Sequence, residues 1–321
     1  MALNDMKKDL RIVFMGTPEF AVAGLKNLVV SGYTIVGVIT APDKPAGRGR
    51  KMQESAVKKY AIEHDLKVLQ PSNLKDETFL KELEALKPNL QIVVAFRMLP
   101  KVVWQLPEFG TFNLHASLLP NYRGAAPINW AIINGEKTTG VTTFFIDEKI
   151  DTGEIILQKE TPIYAEDNAG SLHDKLMNLG AELILETVAI IEKDIVTTYK
   201  QGTDTNIKLA PKIFKQNCKV DWSSPGNSIS NFVRGLSPYP TAWTTFRNGH
   251  QDITIKIYEV EFQQVEHQWD IGTVHKSKLS LTIAVRDGFI QLLTVQFPGK
   301  RKMVIKELLN GLNLQEDAHV L

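Results

Sequence analysis

Asn113 and His115 are polar side chains of the types that suit carbonyl chemistry, and they lie two residues apart. They fall at the end of a predicted strand, residues 111–114, where side chains two apart point to the same face. An amide can donate a hydrogen bond to a developing oxyanion, and an imidazole can move a proton or supply positive charge. A turn amide and a structural histidine would explain the same pattern, so the spacing alone leaves both interpretations open.

A carboxylate that could serve this pair lies in a second polar segment, residues 147–153. Within it, Asp151, Thr152 and Gly153 are typical of a turn between strands. An aspartate there can orient the imidazole of His115 or hold a water for proton relay. Alternatively, Asp151 only forms the turn, with its side chain bonded to nearby backbone.

The segment 41–52 is strongly basic and holds one acid, Asp43. Its two prolines and two glycines exclude a regular helix or a central strand. Such a loop at the ligand end of a sheet can bind phosphates, although it is also typical of a solvated linker. The basic residues of this segment are Lys44, Arg48, Arg50 and Lys51.

The sequence lacks the motifs of several other kinds of site. Gly47 and Gly49 are followed by Met52 where a dinucleotide-binding fingerprint needs its third glycine, and no phosphate-binding lysine loop is present. Cys218 is the only cysteine, so the chain can form neither an internal disulfide nor a cysteine zinc site. The seven histidines are scattered. We therefore predict no NAD, no ATP and no metal.

Charge and hydropathy give broader bounds. The net charge of +1 is no global signature of a nucleic-acid binder, although a local basic patch can still bind one. The chain has no run of apolar residues long enough to span a membrane and no apolar N-terminal signal segment. We predict a cytoplasmic protein that does not enter a membrane.

The elements that position these residues alternate between strand and helix in the first two hundred residues. This alternation predicts an α/β fold with an open, mostly parallel sheet, which binds ligands beyond the carboxyl ends of its strands. The predicted strands are 11–15, 34–40, 90–95, 111–114, 141–146 and 154–157, and the predicted helices are 19–30, 54–64, 76–87 and 171–191.

After about residue 201 the pattern changes to short β-rich segments, which predicts a smaller β-barrel domain. Its predicted strands are 241–246, 253–260, 279–285 and 289–295, and its predicted helix is 226–236. We predict a catalytic domain over residues 1–203, a linker over 204–211 and the barrel domain over 212–321. The aromatic segment 234–244 can stack on unpaired bases or pack as a proline turn on a small core.

These segments carry a resemblance to a known family. The sequences NLHASLLP at 113–120 and YRGAAPI at 122–128 resemble the signature of formyltransferases that use 10-formyltetrahydrofolate. Asp151, Thr152 and Gly153 stand where that family has the last member of its catalytic trio. The resemblance implies that Asn113 donates to the oxyanion, and that Asp151 holds a protonated His115 and relays a proton through water.

Three further segments are similar to the methionyl-tRNA formyltransferases. They are FMGTPEF at 14–20, PDKPAGRG at 42–49 and LSPYPTAWT at 236–244. The resemblance covers about residues 11–311 and implies a Rossmann-like formyltransferase domain followed by a barrel like an OB-fold. It also implies 10-formyltetrahydrofolate as co-substrate and initiator methionyl-tRNA as acceptor. The alternatives are an amino-sugar nucleotide or another small amine as acceptor, or a tRNA-binding protein without catalysis. No sequence feature argues for an interface, so we expect a monomer.

The resemblance also assigns binding residues. The implied folate-binding residues are Phe96, Arg97, Met98, Leu99, Ser117, Leu118, Leu119, Pro120 and Asp147. The implied tRNA-binding residues are Lys44, Arg48, Arg50, Lys51, Lys212, Lys300 and Arg301. Phe96 and Arg97 replace the Tyr-Gly pair that is usual in the family. We expect Arg97 either to pair with a folate carboxylate or to lie in solvent.

Overall fold

The computed structural model describes residues 7–46, 51–202 and 206–321. It divides into two compact units, each built from more than one stretch of chain. The first combines Met1–Gly124, Thr139–Thr161 and His173–Leu209, and the second combines Ala125–Thr138, Pro162–Leu172 and Ala210–Leu321. The second unit thus includes two segments that lie well before its main stretch, Ala210–Leu321, in the sequence.

The N-terminal two thirds of the chain alternate between strands and helices, as predicted. The strands are β1 (Arg11–Gly16), β2 (Thr34–Ile39), β3 (Lys44–Ala46), β4 (Lys51–Gln53), β5 (Val68–Leu69), β6 (Leu90–Val94), β7 (Thr111–His115), β8 (Arg123–Gly124), β9 (Thr138–Phe145), β10 (Ile155–Pro162) and β11 (Leu209–Ala210). The helices are α1 (Glu19–Val30), α2 (Ala56–Glu63), α3 (Glu77–Ala85), α4 (Lys101–Trp104), α5 (Pro127–Ile133) and α6 (Ala169–Glu192).

The first unit is built on a seven-stranded sheet with the order β10-β9-β7-β6-β1-β2-β5. β1 pairs in parallel with β2 and β6, and β6 pairs in parallel with β7. The mostly parallel sheet is therefore confirmed, but β9 runs antiparallel to β7. An antiparallel partner needs no long crossover, and the only helix between these strands is the seven-residue α5.

Side-chain caps decide where two helices begin. The predicted helix 54–64 begins at Ala56, because the Ser55 hydroxyl accepts a hydrogen bond from the Lys58 N–H at 3.0 Å. The predicted helix 76–87 begins at Glu77, because Asp76 accepts from the Phe79 N–H at 3.1 Å. In both, the capping oxygen satisfies a backbone donor that the first helical turn leaves free.

The second unit contains a nearly closed antiparallel barrel. Its strands follow the order β14-β15-β16-β13-β12-β18, and β17 pairs with β16. The elements are a 3₁₀ helix (Lys215–Cys218), α7 (Gly226–Leu236), β12 (Ala242–Asn248), β13 (Gln251–Gln264), β14 (Val274–Lys276), β15 (Leu281–Val285), β16 (Gly288–Gln296), β17 (Met303–Val304), α8 (Ile305–Leu309) and β18 (His319–Val320). A bridge between Thr273 and His319 brings the two ends of the sheet together.

The barrel has its own hydrophobic core. Phe246, Ile255, Leu281 and Leu292 from four different strands are almost fully buried there, and Val233 of α7 packs against them. Within the described ranges, no helix is both long and apolar enough to cross a membrane.

Candidate active site

Asn113 lies on β7, an inner strand of the first sheet. It is paired in register with Val93 of β6 and Phe144 of β9, so its backbone is fixed on both sides. Its side-chain oxygen Oδ1 is buried, and it has no hydrogen-bond partner among the residues that the structure describes. Because buried polar groups are normally paired, this oxygen can accept a hydrogen bond from a group outside the described residues.

His115 lies at the end of the same strand and is buried, with 7% of its surface exposed. Its Nε2 lies 2.8 Å from the Tyr122 carbonyl oxygen. A carbonyl only accepts hydrogen bonds, so Nε2 must carry the proton. Nδ1 is left facing Asp151, with 3.9 Å between Nδ1 and Oδ2.

The distance between His115 Nδ1 and Asp151 Oδ2 decides which contact the two groups can make. At 3.9 Å the carboxylate and Nδ1 can form an ion pair when the imidazole is protonated, but not a direct hydrogen bond. The group that holds the ring is the Tyr122 carbonyl, which the sequence analysis did not identify. A backbone carbonyl has no signature in the sequence, since any residue supplies one.

Asp151 lies in the turn before β10, in the left-handed region with φ of 54°. Its Oδ2 accepts a hydrogen bond from the Gly124 N–H at 2.9 Å. This contact ties the turn to the loop that follows β7. It also keeps the carboxylate beside His115.

The rest of the turn is held by Asp147 and Gly153. Asp147 Oδ1 accepts from the Lys149 N–H at 2.9 Å and from the Thr152 hydroxyl at 2.7 Å. A Cβ on Gly153 would lie 1.6 Å from the Phe145 carbonyl oxygen, so no larger residue fits in this backbone path. Asp147, which the resemblance assigns to folate, therefore shapes the turn that carries Asp151.

The loop after β7 is fixed by hydrogen bonds to the neighbouring strands. The Thr142 hydroxyl donates to the Ser117 carbonyl at 2.6 Å, and Gln158 Nε2 donates to the Leu119 carbonyl at 2.9 Å. The Ser117 side chain is buried and Leu119 packs into a small core, whereas Leu118 and Pro120 are partly exposed. The Leu119–Pro120 peptide bond is cis.

The segment that follows β6 contains the other predicted folate-binding residues. Met98 is 70% exposed and Phe96 is half-buried, whereas Leu99 is buried in the core. The Arg97 guanidinium donates to the Ser72 carbonyl at 2.8 Å and also to the Pro71 carbonyl. Arg97 thus makes backbone contacts that neither expected arrangement included, and partial burial lowers its pKa.

The basic segment contains a two-stranded hairpin that is separate from the main sheet. β3 and β4 pair Lys44 with Gln53 and Ala46 with Lys51. Arg48 and Arg50, two of the predicted tRNA-binding residues, lie outside the described residues.

Asp43 anchors the base of this hairpin. Its Oδ2 lies 2.5 Å from Lys58 Nζ, and its Oδ1 accepts from Gln70 Nε2 at 2.8 Å. These two hydrogen bonds lower the pKa of Asp43. Asp43, the one acid of the segment 41–52, is therefore paired with Lys58 and Gln70, which lie outside that segment.

The other predicted tRNA-binding residues belong to the second unit. The Lys212 ammonium lies 5.4 Å from the centre of the Phe214 ring. Lys300 and Arg301 form an exposed tip after β16, where Arg301 also pairs with Glu307 at 3.3 Å.

The aromatic segment 234–244 divides between the two expected roles. Tyr239 is 82% exposed, whereas Trp243 donates its indole N–H to the Lys215 carbonyl at 2.8 Å. Trp243 therefore packs as part of the domain, and Tyr239 presents a free ring.

Groups that could hold a metal are absent from the described part of the chain, where no three His, Cys, Asp or Glu residues cluster suitably. Cys218 is buried, donates to the Phe214 carbonyl at 3.3 Å, and has its pKa raised by burial. It lies in the second unit and plays no part in the arrangement around Asn113.

Two sequence families match this chain. The family described as "Formyl transferase" matches residues 10–188, and "Formyl transferase, C-terminal domain" matches residues 212–313. Proteins called methionyl-tRNA formyltransferase are similar over nearly the whole length. The one from Flavobacterium johnsoniae is 57% identical over 97% of this chain and 99% of its own length. The one from Bacteroides thetaiotaomicron is 53% identical over 97% of this chain and 98% of its own length.

Solved structures share the fold at lower identity. WlaRD, a sugar 3N-formyl transferase, has a TM-score of 0.64 at 20% identity and matches 92% of this chain and all of its own. HypX from Aquifex aeolicus in complex with tetrahydrofolic acid has a TM-score of 0.61 at 17% identity, over 94% of this chain and 47% of its own. At these identities the likeness concerns the fold alone.

Proposed function

The chain belongs to the methionyl-tRNA formyltransferase family, and we propose that it transfers the formyl group of 10-formyltetrahydrofolate to the α-amino group of methionyl-initiator tRNA. The observation that carries the proposal is the grouping of Asn113, His115 and Asp151 at one strand end. An amide that can donate to an oxyanion, an imidazole that can move a proton and a carboxylate beside it are groups suited to acyl transfer between two nitrogens.

The reaction needs no covalent enzyme intermediate. The methionyl amine forms a bond to the formyl carbon, and the bond from that carbon to the folate nitrogen breaks. The amine loses a proton and the folate nitrogen gains one. The protein therefore has to stabilise an oxyanion on the formyl oxygen and to help one proton pass between two nitrogens.

Asn113 is assigned to the oxyanion. The donor for this role is the Nδ2–H of the amide. The buried Oδ1, which has no partner in the described part of the chain, can only accept and is open to the substrate amine. A donor fixed on an inner strand needs no reorganisation when negative charge develops, which is the source of its catalytic effect.

His115 and Asp151 are assigned two roles: they stabilise the charge of the oxyanion and help the proton pass from the amine to the folate nitrogen. Because Nε2–H is spent on the Tyr122 carbonyl, Nδ1 is the nitrogen that can gain or lose a proton. The carboxylate of Asp151, 3.9 Å away, can form an ion pair with Nδ1 when the ring carries a second proton. The imidazolium then adds positive charge near the oxyanion.

The folate co-substrate is assigned to the segments that follow β6 and β7. These strands are neighbours and parallel, so their carboxyl ends lie at one edge of the sheet. Phe96 and Met98 offer partly exposed apolar surface after β6, and Leu118 and Pro120 offer it after β7. The remaining proposed contacts are Arg97, Leu99, Ser117, Leu119 and Asp147.

The acceptor tRNA is assigned to the basic hairpin and to the barrel unit. The proposed phosphate contacts are Lys44, Arg48, Arg50, Lys51, Lys212, Lys300 and Arg301. We propose a catalytic domain over residues 1–203, a linker over 204–211 and a tRNA-binding barrel domain over 212–321, in a monomer that acts in the cytoplasm without a metal.

Formyl transfer from 10-formyltetrahydrofolate to charged initiator tRNA, run beside charged elongator methionine tRNA, tests the proposal. Strong preference for the initiator is the expected result. Transfer to neither tRNA by a protein that still binds folate would move the acceptor to a small amine, such as an amino-sugar nucleotide. Binding of tRNA without any transfer would indicate a binding protein instead.

A further inference from the structure

Gln201 lies beside the turn that carries Asp151, and its amide joins two loops of the site. Its Oε1 accepts two hydrogen bonds from the Arg123 guanidinium, at 2.6 Å from Nη2 and 3.1 Å from Nε. Its Nε2 donates to the carbonyls of Asp151 at 3.0 Å and Gly153 at 2.8 Å. We call these four contacts the glutamine bridge. They use both donors and both acceptor positions of the amide.

The backbone brings Gln201 to this place. Tyr199 pairs with Ile155 in an isolated antiparallel bridge, with hydrogen bonds of 2.9 and 3.1 Å in the two directions. Ile155 is the first residue of β10, so the chain two residues beyond Tyr199 runs alongside the preceding turn. Gln201 is half-buried there.

The glutamine bridge lies next to both residues of the hydrogen bond that holds the Asp151 carboxylate, Gly124 and Asp151. Arg123 directly precedes Gly124, whose N–H donates to Asp151 Oδ2 at 2.9 Å. On the other side, the amide nitrogen binds the backbone of Asp151 itself. The loop after β7 and the turn before β10 are thus fixed to the same side chain.

Asp151 needs such support. Its φ of 54° is in the left-handed region, which non-glycine residues adopt at a cost. Such conformations persist where surrounding contacts enforce them. The carbonyls of Asp151 and Gly153 that accept from Gln201 lie on either side of Thr152, so the glutamine bridge fixes the turn at the strained residue.

We propose that Gln201 is a positioning residue that sets the place of Asp151 relative to His115. This proposal rests on the function proposed above, in which Asp151 supports the charge on His115. Gln201 contacts the main chain of Asp151, the main chain of Gly153 and the side chain of Arg123, so it acts through these groups.

Gln201→Met tests the proposal, because methionine keeps the length of the side chain and removes every hydrogen bond of the bridge. We expect kcat for formyl transfer to fall about 10- to 100-fold, the effect typical of a group displaced by about an ångström. The KM values for folate and tRNA should stay within about twofold, since no proposed binding contact is removed. Gln263→Met is the matched control, because Gln263 is an exposed strand glutamine whose amide donates to Gln291 at 3.0 Å, far along the sequence from the turn of Asp151.

Gln201→Glu separates the two halves of the bridge. The carboxylate can still accept from Arg123, but it cannot donate to the carbonyls of Asp151 and Gly153. We therefore expect a loss of kcat similar to that of Gln201→Met in a protein that keeps the Arg123 contact. Full activity of Gln201→Glu would overturn the proposal.

A double-mutant cycle with Asp151→Asn shows whether Gln201 acts through Asp151. If it does, Gln201→Met should change single-turnover rates by less than about twofold in the Asp151→Asn background, because coupled residues are not additive. An equal loss in both backgrounds, or an unchanged kcat in folded Gln201→Met, would overturn the positioning role and leave the proposed function standing. Inactivity of the unaltered chain would overturn both.

Discussion

The two ring nitrogens of His115 have different surroundings. Nε2 is hydrogen-bonded to the Tyr122 carbonyl, and Nδ1 faces the carboxylate of Asp151. One nitrogen therefore fixes the ring, and in the proposed mechanism the other exchanges the proton. A histidine with this division keeps its orientation through a catalytic cycle, because the proton that moves is not the one that holds the ring.

Asn113→Ala should lower kcat by about 10²–10³, the usual cost of losing one oxyanion donor. The thermal midpoint should not fall with it, because the buried amide oxygen has no partner to lose in the described part of the chain. Single-turnover formylation and thermal unfolding measure the two quantities. Asn227→Ala, on the exposed side of the first turn of α7, is the control. Activity within about threefold of the unaltered protein would remove Asn113 from the mechanism.

The types and spacing of Asn113, His115 and Asp151 were predictable from the sequence, because strand periodicity and a turn signal are local patterns. Their hydrogen-bond partners were not. The Tyr122 carbonyl and the Gly124 N–H are backbone groups, and Gln201 is an ordinary residue 50 positions from Asp151. Contacts of this kind depend on where loops meet in space, which one sequence does not state.

At the scale of elements, the turn of residues 147–153 leaves little room for changes of backbone or side chain. It carries a left-handed Asp151, and Gly153 passes close against the Phe145 carbonyl. Asp147 bonds within the turn and Gln201 bonds to it from outside. The turn is thus fixed from several directions, as preorganised catalysis requires.

Gly153→Ala should therefore disturb both the fold and the reaction. The added Cβ would lie 1.6 Å from the Phe145 carbonyl oxygen, so the backbone must shift. Overpacking of this kind costs about 1–3 kcal/mol, and the shift should displace Asp151 and lower kcat. Denaturant unfolding and steady-state kinetics measure the two effects. Gly311→Ala is the control, because nothing lies within 4 Å of its added Cβ. Equal behaviour of the two variants would show that the turn is not fixed in this way.

Arg48→Ala tests whether the basic segment 41–52 binds tRNA. If Arg48 contacts a tRNA phosphate, its loss should raise the KM for tRNA and make the slope of log KM against log salt shallower by about 1. The KM for folate should not change. Lys26→Ala removes an exposed cation from α1 and serves as the control for overall charge. An unchanged KM and salt slope for Arg48→Ala would indicate that the basic segment 41–52 is a solvated linker.

The prediction of elements succeeded where periodicity was long and failed where elements were short. α1 and α7 have the predicted bounds, 19–30 and 226–236. The two-residue strands β17 and β18 were missed, because two residues show no period. β13 extends to 14 residues rather than the predicted eight, and shifts in its pairing around Glu259 interrupt the alternation that predicts strands.

At the scale of the whole molecule, the second unit is assembled from three stretches of chain. The barrel stretch, Ala210–Leu321, is joined by Ala125–Thr138, which contains α5, and by Pro162–Leu172. Asn129 of α5 donates to the Gly235 carbonyl of α7 at 2.7 Å. The sequence analysis assigned both added stretches to the predicted catalytic domain, residues 1–203, because α5 was not predicted and no local pattern reports a distant partner.

Arg234 of α7 joins two of these stretches. Its Nη1 donates to the carbonyls of Tyr164, Ala165 and Asp167 at 3.1, 2.9 and 2.7 Å, and partial burial lowers its pKa. Three carbonyls that converge on one guanidinium nitrogen are not satisfied by an apolar side chain. The ordering of residues 164–167 should therefore depend on this arginine.

Arg234→Met should lower the free energy of unfolding by about 1–3 kcal/mol, because hydrogen bonds from a charged donor to exposed and part-buried carbonyls are lost. Arg286→Met is the control, because Arg286 is exposed on the barrel and its loss should change stability by less than about 0.5 kcal/mol. Hydrogen exchange should show faster exchange in residues 162–172 of the Arg234 variant than in the control. If stability falls but exchange in that segment is unchanged, the arginine stabilises α7 alone. If neither changes, water replaces the guanidinium and the second unit is held by its apolar core.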